Sequence, residues 1–342
     1  MEEVNVVLGW RLEDSQKQEI AAVDQRLKVA DISLELLSQY RSALPPHARI
    51  EEPSQPPEKV EAILREAAVL LSWWRLPENL LKRAPKLKWI QFVSAGIERS
   101  ITPELLRSPV LVTSASGIHA TPIAEYVLGA MLALLKRFPS FLTNQQARRW
   151  QRPLVAELRG RTVGVVGLGN IGSEVARLAR AFGMRVLAAR RSAIRRVPGT
   201  GDVDELFPPQ ELPLLLAASD FVVLSLPLTP ETRHVIGEEE LRSMKPTSYL
   251  INISRGAVVD EAALVKALKE RWIAGAALDV FEREPLPQES ELWGMDNVII
   301  TPHISGTSDK YNARITELFC ENLRLYLSGV PLLNLVDKER GY

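Results

Sequence analysis

The chain of 342 residues is short of several things, and each shortage narrows what it can be. It has one cysteine, Cys320, which excludes an internal disulfide and any multi-cysteine metal site. It has no excess of charge, since 42 Lys and Arg balance 42 Asp and Glu, so electrostatics gives no reason to expect nucleic acid or a membrane surface as partner. It has no long hydrophobic run: the most apolar helix-like stretch, Tyr126 to Leu135, is too short to span a bilayer and closes on Lys136-Arg137. The N-terminus, MEEVNVVLGW, carries acids where a secretory signal would carry Lys or Arg. The expectation is a soluble, cytoplasmic protein without a metal, with Cys320 as a buried core thiol. The length suggests two domains rather than one core.

What the chain does have is concentrated in Arg161 to Arg191, RTVGVVGLGNIGSEVARLARAFGMRVLAARR. A Val-rich run leads into Gly167-Leu168-Gly169-Asn170-Ile171-Gly172, a helical pattern follows, and a second apolar run closes at Val186–Ala189. That order is strand, glycine turn, helix, strand. In a βαβ unit that holds a dinucleotide, the first glycine makes the tight turn, the second admits a pyrophosphate, and the third packs helix on strand. The helix then begins under the phosphates, where free N–H groups and the positive dipole end attract anions. An NAD site commonly has Asp or Glu at the end of the second strand to bind the ribose hydroxyls. Here Arg190-Arg191-Ser192 stands there, followed by Arg195 and Arg196. A guanidinium pairs with a 2′-phosphate that a carboxylate would repel, so NADP(H) is favoured and NAD(H) stays open.

The flanking sequence reads as alternating strands and helices. Strand patterns at Val4–Leu8, Ala68–Ser72, Leu87–Val93 and Val110–Ser114 alternate with helical ones at Asp14 to Val29, Glu58–Glu66, Glu78–Ala84 and Pro103–Arg107. Pro45, Pro46, Pro53, Pro56 and Pro57 mark an irregular segment between them. Such alternation means a parallel sheet covered by helices. A long apolar helix, Ile123 to Arg137, and a polar, basic connection, Asn144 to Arg159, precede the glycine unit. Further strands follow at Phe221–Leu226, Tyr249–Ile253, Ala274–Asp279 and Val298–Thr301, filled with Val, Ile and Leu as strands buried on both faces are. This gives six strands, the count of a doubly wound domain. The last helix, Lys310 to Leu327, is left to cross back to the first domain.

Ligands in open α/β sheets bind outside the carboxyl ends of the strands. Three charged segments sit at such ends: Asn252-Ile253-Ser254-Arg255-Gly256, Asp279 to Pro287 with Glu282 and Glu284, and Thr301-Pro302-His303-Ile304-Ser305-Gly306. One Arg, one Glu and one His facing one crevice can reduce a 2-oxo acid. Arg clamps the carboxylate and polarises the carbonyl, His delivers the proton, and Glu holds the imidazole.

With these segments in hand, the chain resembles the D-isomer-specific 2-hydroxyacid dehydrogenases. The matching stretches are GLGNIG at 167–172, LSLPLTPETRHVIG at 224–237, LINISRGAVVDEAAL at 250–264, ALDVFEREPLP at 277–287 and TPHISG at 301–306. The resemblance implies a two-domain α/β fold, with a Rossmann dinucleotide domain (116–307) inserted into a flavodoxin-like substrate domain (1–115 and 308–342). By the same resemblance Arg255 orients the oxo acid, His303 is the acid/base, and Glu284 is its partner. Asp279 would hold the nicotinamide carboxamide. Asn170, Ile171, Leu226, Pro227 and Thr232 would line the adenosine and phosphate site. Ile253, Ser254, Ser305 and Gly306 flank the cofactor, and the backbone of Ser94-Ala95-Gly96 would bind the substrate carboxylate. His119 falls at a hinge where many members have Asn. Trp73-Trp74-Arg75 ends a strand of the first domain; Trp74 is placed in the substrate pocket, with packing or a subunit contact as the other reading of the tryptophans. The helix from Ile123 is similar to one the family uses for a twofold dimer, which implies a homodimer. A nucleotide-sensing regulator of the corepressor type on the same fold is the alternative. The resemblance leaves open whether the substrate is glyoxylate, hydroxypyruvate or a larger 2-oxo acid, and in which direction the reaction runs.

Overall fold

The computed structural model describes residues 3–39, 55–73, 76–97 and 100–338. The chain divides into two compact units, Met1–Ile118 with Asp309–Tyr342, and His119–Ser308.

The first unit runs β1 (Val4–Leu8), α1 (Asp14–Ala21), β2 (Leu27–Asp31), α2 (Ser33–Gln39), α3 (Pro57–Glu66), β3 (Val69–Ser72), α4 (Leu80–Arg83), β4 (Trp89–Phe92), α5 (Pro103–Arg107) and β5 (Leu111–Thr113). Its five strands are all parallel in the order β2-β1-β3-β4-β5, the flavodoxin-like order. The expected helix from Asp14 to Val29 is therefore wrong in its second half. Leu27–Asp31 is an edge strand in register with β1, and an edge strand is too open on one face to show a strong apolar pattern. Of the proline-marked segment, Pro45, Pro46 and Pro53 lie outside the described residues. Pro57 opens α3 at the first helical position, where its missing N–H costs nothing.

The second unit runs α6 (Ala120–Leu135), α7 (Phe138–Gln146), β6 (Thr162–Val166), α8 (Asn170–Ala181), β7 (Arg185–Ala189), β8 (Val197–Pro198), β9 (Glu205–Phe207), α9 (Leu212–Ala218), β10 (Phe221–Leu224), α10 (Glu238–Ser243), β11 (Tyr249–Asn252), α11 (Glu261–Lys269), β12 (Gly275–Leu278) and β13 (Val298–Ile300). Its sheet has eight strands in the order β13-β12-β11-β10-β6-β7-β9-β8, not six. The two extra strands are three and two residues long, too short for periodicity to register, and β8 is the antiparallel member. The final helix, α12 (Tyr311–Ser328), belongs to the first unit, where Ile315, Phe319, Cys320 and Leu323 pack under Trp89 and Leu71. Burial pushes the Cys320 thiol up to about 11, so it stays an inert core side chain.

Both sheets are covered on both faces. Along β6 and β10, Val163, Val165, Phe221 and Val223 enter one core, while Val166, Val222 and Leu224 enter the opposite one. Alternate residues thus point to different cores that are equally apolar, which is why the strands read as unbroken hydrophobic runs. Among the described residues, no helix is long and apolar enough to cross a membrane.

Candidate active site

The glycine turn after β6 is built by steric demands at two of its three glycines. Gly167 has φ +101, and a Cβ there would lie 2.6 Å from the Ser225 carbonyl oxygen. A Cβ on Gly172 would lie 2.1 Å from the Gly167 oxygen, so only glycine lets α8 start this close to β6. The Ser225 hydroxyl, just past β10, donates to the Gly167 oxygen at 2.6 Å and holds the turn, a support that no sequence motif marks. Gly169, the N-cap of α8, is different: a Cβ there would meet nothing within 4 Å. The N-terminal turn of α8 is exposed at Gly169 and Asn170, and free N–H groups at such an end can receive an anion. Ile171 is half-buried behind it.

At the end of β7, Arg190, Arg191 and Ser192 are exposed. Arg196 is committed elsewhere, donating from Nη2 to Glu205 Oε2 at 2.9 Å with its guanidinium 4.5 Å over the Phe207 ring. Arg190 has no carboxylate partner among the described residues. Opposite the turn, Thr232 Oγ1 donates to the Pro227 carbonyl at 2.7 Å and shapes the loop that follows Leu226. The carboxyl of Glu231 in that loop is held below its usual range, first by the Thr229 hydroxyl and in small part by the charge of Arg191.

The loops after β11 and β12 are brought into direct contact. A Cβ on Gly256 would lie 1.8 Å from the Phe281 carbonyl carbon, so no other residue lets these backbones meet. Asn252 ties the first loop together: its Oδ1 accepts from Ser254 N at 3.1 Å and Ser254 Oγ at 2.8 Å, and its Nδ2 donates to the Arg255 oxygen at 3.2 Å. Ile253 and Ser254 are buried beneath Arg255. Arg255 Nη1 donates back to the Ser254 oxygen at 2.8 Å and makes no bond to Glu284 or His303 among the described residues. In the second loop, the Phe281 N–H donates to Glu284 Oε1 at 3.1 Å and fixes that carboxylate.

Glu284 Oε2 lies 2.9 Å from His303 Nδ1. The other candidate carboxylate, Glu282, goes instead to His234 Nε2 at 2.7 Å. His303 has φ +54, a left-handed conformation that costs a non-glycine residue about 1 kcal/mol and needs outside support. Asp279, fully buried, supplies it. Its backbone oxygen accepts from His303 N at 2.8 Å. Its Oδ1 accepts from Ile304 N at 2.9 Å and Thr301 Oγ1 at 2.6 Å, and its Oδ2 from Ser305 N at 2.9 Å. A carboxylate has about four acceptor positions, so Asp279 keeps room for one further donor such as an amide. His119, the N-cap of α6, reaches the same turn with Nδ1 3.1 Å from the Gly306 oxygen. Among the described residues, no group of three His, Cys, Asp or Glu side chains is arranged for a metal ion.

In the first unit, Ser94, Ala95 and Gly96 follow β4. The Ser94 hydroxyl is buried with no hydrogen-bond partner among the described residues. Ala95 and Gly96 line a cavity of about 240 Å³ at the carboxyl ends of β4 and β5, with Ser116, Asn334 and Leu335 opposite. Trp73 packs 6.0 Å from the Trp10 ring in the core, which favours packing over a pocket role for it. Trp74 and Arg75 lie outside the described residues.

Residues 128–305 match the family model for the D-isomer specific 2-hydroxyacid dehydrogenase NAD-binding domain. A glyoxylate reductase from Thermofilum pendens is 38% identical over 302 residues, covering 84% of this chain and 87% of that protein. The chain belongs to the D-isomer specific 2-hydroxyacid dehydrogenases. A family member from Xanthobacter autotrophicus, solved in complex with NADPH and MES, superposes on this dehydrogenase with a TM-score of 0.78 and 31% identity, with all of both chains covered. An NADPH-dependent glyoxylate/hydroxypyruvate reductase from Sinorhizobium meliloti, in complex with NADP and sulfate, gives a TM-score of 0.78 at 26% identity, covering 99% of this chain and all of that one. The protein is thus a nicotinamide-dependent oxidoreductase whose second unit is the Rossmann NAD-binding domain.

Proposed function

We propose that this dehydrogenase reduces a small 2-oxo acid of the glyoxylate and hydroxypyruvate class to its D-2-hydroxy acid, with NADPH as hydride donor. The observation that carries the reading is the His303–Glu284 pair, 2.9 Å apart on a turn anchored to the same sheet as the glycine cradle. The names of the similar proteins support the substrate class and the cofactor. The dinucleotide supplies the hydride; Gly167, Gly169, Asn170 and Gly172 hold its pyrophosphate, and Arg190, Arg191 and Ser192 its 2′-phosphate. Arg255 binds the substrate carboxylate and polarises the carbonyl. Glu284 accepts a hydrogen bond from Nδ1–H of His303, which fixes the ring and leaves the protonated Nε2 to deliver its proton to the carbonyl oxygen. Asp279 orders the turn and offers its remaining acceptor position to an amide of the cofactor. The first unit is accordingly the substrate domain, and the compartment is the cytoplasm, where a lone free thiol is the ordinary case.

A homodimer belongs to the same reading. It is supported by the apolar side chains left open on α7 and the segment after it, Phe138, Leu142, Trp150 and Leu154, the last two more than nine-tenths exposed. The apolar side of α6, by contrast, packs inside its own unit against α8. No observation favours the nucleotide-sensing regulator. The test is turnover of glyoxylate, hydroxypyruvate and larger 2-oxo acids with NADPH and NADH. Glyoxylate or hydroxypyruvate with NADPH should give the highest kcat/KM; no turnover of any 2-oxo acid, or a preference for NADH, would refute the corresponding part.

A further inference from the structure

The turn that carries His303 is connected through part-buried hydroxyls to α6. Tyr126, on α6, has its hydroxyl 2.8 Å from Thr301 Oγ1, and Thr301 Oγ1 donates to Asp279 Oδ1 at 2.6 Å. A threonine hydroxyl has one proton, already given to Asp279, so the Tyr126 hydroxyl is the donor to Thr301. Burial raises the Tyr126 pKa above its usual value, which keeps the phenol protonated in that role. The result is a one-way chain: Tyr126 donates to Thr301, Thr301 to Asp279, and Asp279 accepts from the N–H groups of the two residues after His303.

The same helix backs the cofactor cradle. α6 packs along α8, where Val127, Ala130 and Met131 share a core with Val175, Ala176 and Ala179. One helix therefore touches both the element that starts at the glycine turn and the turn that presents the imidazole. We infer that Tyr126 and Thr301 are positioning residues for His303, setting the placement of its proton-carrying nitrogen relative to the cradle through the buried carboxylate of Asp279. The inference rests on the proposed role of His303. Neither residue need touch substrate. Each acts by holding a strained turn in the one arrangement from which proton transfer is direct, and small misplacements of a reacting group are costly in rate.

The test compares Tyr126→Phe, which removes only a hydroxyl, Thr301→Val, which removes both links while keeping the shape, and Thr301→Ser, which restores the hydroxyl. For 2-oxo acid reduction with NADPH, kcat should fall about 10-fold in Tyr126→Phe and about 100-fold in Thr301→Val, with KM for the oxo acid within about twofold, because geometry rather than binding is lost. Thr301→Ser should recover most of the wild-type kcat. A second readout needs no turnover: in the unliganded protein the Ile304 and Ser305 amides should exchange faster in Tyr126→Phe and Thr301→Val. The His303 imidazole signal, one of four histidines, should also broaden or move. A wild-type kcat in Thr301→Val, or a loss that Thr301→Ser shares in full, overturns the inference. Unchanged amide exchange and an unchanged imidazole signal in Tyr126→Phe overturn it for Tyr126. If the wild type reduces no 2-oxo acid, the proposed function fails, and the exchange and imidazole measurements still decide whether the relay holds the turn.

Discussion

The two units are parallel α/β sheets covered on both faces, yet they place different kinds of groups at their strand ends. In the second unit those ends carry charged side chains on loops that are locked by close backbone approach and by a buried carboxylate. In the first, the ends of β4 and β5 carry small residues around a cavity. Ordering a charged side chain takes more fixed neighbours than presenting a backbone N–H, because a long side chain has rotamer entropy to lose. The second unit therefore fixes its strand-end loops at more points than the first.

The comparison is sharpened most by His303→Ala. Proton transfer by a placed group is worth about 10²–10⁴-fold, so kcat should fall by that factor in both directions while substrate affinity, which the proposal assigns to Arg255, changes little. Steady-state kinetics and oxo acid binding by calorimetry check it; an equal loss of binding and turnover would erase the proposed division of labour. Next in size is Arg190→Asp, which removes a charge-assisted contact and adds repulsion toward a 2′-phosphate. The ratio of kcat/KM for NADPH over NADH should drop by about 10²-fold, with the KM for oxo acid unchanged. An unchanged ratio would mean that Arg191 and Ser192 carry the preference.

The smallest effect lies in the first unit. Asp31 is partly buried, which by itself would raise its pKa, but hydrogen bonds from Lys17 and Ser33 hold it below the usual carboxylate range. A lowered folded-state pKa adds stability that is present above the unfolded value of about 3.9 and is lost as pH falls through the folded one. Asp31→Asn should therefore cost about 1 kcal/mol at pH 7, and the deficit should shrink as pH drops below about 4. Urea unfolding at the two pH values measures it, and a pH-independent deficit would assign the loss to packing instead.

How much was legible from sequence follows the same divide. GLGNIG, NISRG and TPHISG were readable because each couples a backbone demand to a chemical group, as the 1.8 Å approach between Gly256 and Phe281 makes plain. The pairing of Glu284 rather than Glu282 with His303 was beyond spacing alone, since the two carboxylates stand two residues apart on one loop and are directed by separate contacts, the Phe281 N–H for Glu284 and His234 for Glu282. Edge strands such as Leu27–Asp31 escaped because one open face weakens the apolar signal. The supporting bonds of Ser225, Thr301 and Tyr126 escaped for another reason: hydroxyls that support a loop from a distant element have no fixed sequence distance from what they support.

The contact between His119 and Gly306 has a consequence for the architecture of the gene. These two residues stand at the entrance and the exit of the second unit, and a bond of 3.1 Å puts its two ends side by side. A module whose ends meet can be spliced into a surface connection of a host fold without stretching it, and excised with its ends joined by a short linker. The residues from 119 to 308 are thus a cassette, and the chain that hosts it has only one loop's width to bridge in its absence.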